Sequence, residues 1–280
     1  MKMNHCSIAT LAVWLSISGC IFSANADPLP PNLATAGVEP AQVHITGDTV
    51  YYQGNISTAS TQVFKAVVAG VKRGQLTRLV ISSVGGETRN GREIGHWVHD
   101  MALVVEIERV CFSSCANYIF PAGRARVIRA NALVGWHGNE RGMEIGTKER
   151  GVSLEAEMRR LLPPEILNGP TEKIQGHVDE ALVSLQKSMQ EEAAFYSLLR
   201  LKDAFATCAV GDGASSKYPA LQDKKGWGFS IKDMARLGLA NTVYLGDGAY
   251  ERDSVLFRKY LGLLGADECL LLLSEKQVQR

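Results

Sequence analysis

Residues 76–82 form a nearly continuous apolar run, the kind of strand that is buried on both faces of a parallel sheet. The run ends at the Gly85-Gly86 turn. A helical pattern follows over about 89–103, with Ile94, Trp97, Val98 and Met101 on one face. A second strand near 104–110 then leads into another helix. Strands alternating with helices at this spacing predict right-handed βαβ crossovers and an α/β fold. In such folds the loops at the carboxyl ends of the strands are where a site is built.

The second of those loops carries the most chemistry. Ser114 stands where the strand turns into the helix, and about two dozen residues later His137 follows the apolar run 132–134 between Gly135 and Gly138. A serine at a helix start and a histidine at a strand end are the two parts of an activated serine nucleophile. The hydroxyl needs a base within reach, and imidazole has a suitable pKa. The ordinary readings are a helix-capping serine and a structural histidine. His44, His96 and His99 compete as bases. His96 and His99 sit three apart on one helix, but no third metal ligand accompanies them, so no metal or cofactor is expected.

The segment Ser114-Cys-Ala-Asn-Tyr-Ile-Phe-Pro-Ala-Gly123 resembles the nucleophile segment of the Clp protease proteolytic subunit and its periplasmic relatives, within the crotonase superfamily. In those proteins a serine opens the helix and an Ala-Gly closes it nine residues on, which selects Ser114 over Ser113. Ile81-Ser-Ser-Val-Gly-Gly86 resembles the same family's strand-end Ser-x-Gly-Gly loop. The resemblance spans about 45–245 and is concentrated in 76–138. It implies a ClpP/crotonase-like spiral of βαβ units with a protruding long helix. It also implies an oxyanion hole made by the backbone N–H groups of Gly86 and Cys115. Counting back from Phe229 as in the family gives Asp223 as the third triad member. Asp203 and Asp212 are alternatives, and so is a dyad without an acid.

Export is written in the first residues. Lys2 precedes the apolar run 8–17, and Ala24-Asn-Ala26 fits a small-x-small cleavage site, so 1–26 reads as a signal peptide. Ile17-Ser-Gly-Cys20 also resembles a lipoprotein box. That version would end the signal at residue 19 and attach a lipid-modified Cys20 to a membrane. Either way the mature chain is expected in the periplasm or secreted. The remaining cysteines, Cys111, Cys115, Cys208 and Cys269, are even in number, as disulfides in an oxidising compartment require.

The other segments set the domain plan. The proline-rich stretch 27–42 reads as a linker, 43–248 as the ClpP/crotonase-like domain and 249–280 as a C-terminal helical extension. The glycine-rich stretch 139–151 reads as a mobile loop. The stretch 174–201 reads as a long amphipathic helix, either packed on its own sheet or forming a homo-oligomer contact. Net charge is +1, and no basic cluster is interleaved with aromatics, which argues against nucleic-acid binding.

These readings converge on an exported, ATP-independent serine peptidase acting on peptide or protein substrates through Ser114 and His137. The competing reading is a catalytically silent relative acting as an envelope binding or scaffold protein. An acyl-CoA enzyme is disfavoured by export, and no lysine rivals His137 as the base.

Overall fold

The computed structural model describes residues 34–211 and 214–270. The proposed signal peptide, Cys20 and Asp212 lie outside them. Strands β1 (Gln42–Thr46) and β2 (Thr49–Gln53) form a hairpin whose turn is Gly47-Asp48. Ser57 then caps helix α1 (Thr58–Val67) by accepting a hydrogen bond from the Ser60 N–H. The apolar run becomes β3 (Arg78–Ser83), which joins through α2 (Thr88–Met101) to β4 (Val104–Phe112). Strands β5 (Ala125–Ile128), β6 (Leu133–Gly135) and β8 (Thr242–Tyr244) complete a sheet in the order β1-β2-β3-β4-β5-β8. Every pair except β1–β2 is parallel. This is the α/β arrangement that the strand–helix alternation predicts.

Strand β4 is long enough to have two partners on one side. Its first half pairs with β5 and its last three residues pair with β6. The branch brings the end of β6 beside the end of β4, so a residue just after each strand can meet the other. Leu79, Ile81, Val105 and Ile107 are completely buried in the sheet. Each contributes on the order of 1.5–3 kcal/mol of transfer free energy.

The structure details two further stretches of the chain. Residues 139–151 are not a loop. The Asn139 side chain accepts from the Gly142 N–H and opens a helix, Glu140–Glu149, with Glu140 in its first turn and Lys148 in its last. Residues 249–270 pack onto the domain. Strand β7 (Gly226–Gly228) pairs with β9 (Leu261–Leu263), and Tyr250, Phe257 and Leu264 lie in the main core. A disulfide between Cys208 and Cys269 fastens this segment.

The long helix runs over Thr171–Leu198. Its last turns put Phe195 and Tyr196 into the main core. Ile174, Val178, Ala181 and Leu185 join Met158 and Leu162 in a second cluster. The apolar face over the first half of this helix is covered by the chain's own Leu154–Leu161 helix and the residue after it. Val183 and Leu198 stay exposed.

Candidate active site

Three strand ends build the site: the Gly85-Gly86 loop after β3, Ser113 after β4 and His137 two residues beyond β6. The Ser113 N–H donates to the Gly135 carbonyl, which ties the two neighbouring strand ends together. His137 Nε2 then lies 2.7 Å from Ser113 Oγ. The imidazole is stacked on Phe112, with ring centroids 5.0 Å apart, which fixes its plane. Burial lowers the His137 pKa to about 4, so the ring is a neutral acceptor at ordinary pH.

Ser114, the serine selected by spacing, points elsewhere. It is 1 % exposed, and its hydroxyl donates to the Gly86 carbonyl. Ser113 is half-buried and sits at φ +56°, the left-handed turn that lifts a side chain out of a strand-to-helix junction. The reason for the one-residue difference is local. Residues Cys115–Ile119 form a π-helix, closed by the Phe120 N–H donating to the Cys115 carbonyl. A π-turn takes up one residue more than an α-turn. Counting back from Gly123 on α-helical spacing therefore lands one position too late.

The same shift moves the backbone donors. With Ser113 at the turn, the next N–H is that of Ser114 rather than Cys115. Gly86 lies in the loop after β3. A Cβ on Gly86 would meet the Ile56 carbonyl oxygen at 2.0 Å, and one on Gly85 would meet Ser113 Cβ at 2.6 Å. Both positions have positive φ, at +145° and +96°. The pair thus has to be glycine both for its conformation and for its contact with the serine turn.

Asp223 does not join this group. It is exposed, at φ +59°, and makes no hydrogen bond or ion pair among the described residues. Strand β7, which follows it, reaches the site instead through backbone. Trp227 and Trp136 exchange N–H to carbonyl bonds at 2.8 and 2.9 Å, which sets the strand carrying His137. Asp203 is held by Arg141 at 2.8 Å.

Two features were missed by sequence reasoning. The first is a disulfide, Cys111–Cys115, which brackets Ser113 symmetrically. The even cysteine count pointed to bridges but not to this pairing. The second is a buried polar cluster behind the serine helix. Arg92 binds Glu140 at 2.9 Å and Ser188 at 2.7 Å, while Tyr118 donates to Glu192 at 2.6 Å. Burial, reinforced by the charge of Glu140, raises the Glu192 pKa to about 7. The cluster couples the helix that follows Ser113, α2 and the long helix. Glu140 lies in a stretch that reads as a loop and Glu192 among the polar positions of the long helix, so only the fold reveals it.

No protein-family model and no curated protein matches the chain. Among solved structures it is a distant match to acyl-CoA enzymes. Methylmalonyl-CoA decarboxylase is 9 % identical, with 56 % of this chain and 89 % of that one covered at a TM-score of 0.31. The enoyl-CoA hydratase of Thermoplasma volcanium GSS1 is 12 % identical, with 57 % and 91 % covered at 0.30. That of Bacillus anthracis is 10 % identical, with 66 % and 83 % covered at 0.30. Likeness at this level assigns neither a substrate nor a reaction to this chain.

The two disulfides are of the kind kept by proteins in oxidising compartments. Among the described residues no helix is long and apolar enough to cross a membrane.

Proposed function

We propose that the protein is an exported serine peptidase in which Ser113 is the nucleophile and His137 the base. The observation that carries this reading is the 2.7 Å approach of His137 Nε2 to Ser113 Oγ, at a left-handed turn between a strand and a helix. In the proposed reaction Ser113 Oγ attacks the carbonyl carbon of a peptide bond while His137 takes its proton. The Gly86 and Ser114 N–H groups face the charge that develops on the carbonyl oxygen. His137 then returns the proton to the departing amine, and water hydrolyses the acyl-enzyme by the same route.

A second reading, a silent envelope-binding protein, draws support from the same histidine. A base whose pKa is held near 4 drives proton abstraction less strongly than one poised near neutrality.

A fluorophosphonate probe with peptide mapping separates the two. The active reading expects labelling on Ser113, loss of that label in Ser113→Ala and its retention in Ser114→Ala. The Ser114 variant loses one hydrogen bond to Gly86, worth about 0.5–1.5 kcal/mol, so it should still fold. A folded wild-type protein that no serine probe labels would establish the silent reading.

A further inference from the structure

A surface hollow of about 460 Å³ opens at the other end of the sheet from Ser113. It lies where β4 and β5 begin, and four parts of the chain meet there. The α1–β3 loop supplies Arg73, and the end of α2 supplies His99 and Asp100. The turn into β5 supplies Arg124, and β5 itself supplies Arg126. Among the described residues no carboxylate forms an ion pair with Arg73, Arg124 or Arg126. Asp100 is the one acidic group in the lining, so the three arginines leave an excess of two positive charges.

Arg126 is the most telling of these. It is buried, and its nitrogens donate to the carbonyls of Phe120 at 3.1 Å, Ala240 at 2.6 Å and Pro121 at 2.7 Å. These acceptors satisfy three of its N–H groups but carry no charge to balance it. Burial lowers its pKa to about 10, which still leaves it cationic at neutral pH. Arg73 and Arg124 stand exposed at the rim. Guanidinium forks match phosphoryl oxygens in both geometry and charge. A phosphate monoester carries about −1.5 to −2 charges near pH 7, which offsets the excess in the hollow, whereas a single carboxylate or a phosphate diester does not.

We propose that this hollow is an anion site for a phosphoryl group, held by Arg73 and Arg124 over the buried charge of Arg126. The site is independent of the serine chemistry at the opposite strand ends. Its ligand can come from two sources, a free phosphate monoester or diphosphate, or a phospholipid headgroup that ends in a phosphate monoester.

The test is calorimetric titration of the folded protein with inorganic pyrophosphate at constant ionic strength, beside flotation with phosphatidic acid vesicles. Arg126 holds three carbonyls in place, so the rim residues are the ones to change. One binding event per chain is expected. The double variant Arg73→Gln, Arg124→Gln should weaken it by about tenfold or more, and Asp100→Asn should tighten it. Pyrophosphate binding without flotation identifies a free ligand, and variant-sensitive flotation identifies a headgroup. Neither signal in the wild type, or equal affinity in the double variant, would overturn the proposal.

Discussion

His137 is the residue whose environment makes the sharpest statement about behaviour. Free imidazole titrates near 6.5, but here burial holds it to about 4. Only the neutral ring can accept the Ser113 proton. Labelling of Ser113 should therefore stay level from pH 8 down to about pH 5 and fall only near pH 4. The sign for stability follows the same shift. Between pH 6.5 and 4 the unfolded chain binds a proton that the folded chain refuses, so this contribution is complete above the window and is lost as pH falls through it. Labelling that halves near pH 6.5, with circular dichroism unchanged, would mean an ordinary solvated imidazole. The chemistry-bearing residue types were legible in the sequence, since a serine after a strand, a glycine pair and a histidine between glycines are local signals. Which of Ser113 and Ser114 meets His137 was not. It depends on a π-turn, and nothing in Cys-Ala-Asn-Tyr-Ile distinguishes that from an α-turn of the same composition.

At the level of elements, the two disulfides should do different work. The bridge Cys208–Cys269 closes 61 residues and joins the C-terminal segment to the core, whereas Cys111–Cys115 closes a separation of 4 around the serine turn. On a chain-entropy estimate the long loop is worth about 4 kcal/mol and the short one about 2. Replacing both cysteines of the long loop with serine should therefore lower the melting temperature more. Replacing Cys111 and Cys115 should instead depress Ser113 labelling more, because β4 and the π-helix are then free to relax the left-handed turn. Equal loss of labelling in the two variants at matched stability would remove the positioning role. The helix at Glu140–Glu149 shows what composition conceals. Its glycines read as a loop, yet its cap, its end charges and its buried Thr147 outweigh them once neighbouring elements supply a surface.

The described residues form two apolar centres, and the long helix is common to both. Its carboxyl end is locked into the main core. Its first half rests on Met158, Leu162 and their neighbours, a cluster separated from that core by the Arg92–Glu140 and Tyr118–Glu192 layer. The division was not legible, because one amphipathic period runs through the helix and does not say which surface each turn meets. It predicts that the second cluster can open without the first. Met158 is 1 % exposed at its centre. Met158→Ala removes a buried side chain of the kind whose loss costs about 2–5 kcal/mol. Amide exchange should accelerate over Leu154–Leu161 and the first half of the long helix. It should stay slow in β3 and β4, where opening requires unfolding of the main core. Ser113 labelling should be unaffected, since Cys111, Cys115 and Ala116 beside the serine turn belong to the main core and not to the second cluster. Uniform acceleration across β3, β4 and the long helix would show instead that the polar layer binds the two centres into one cooperative unit.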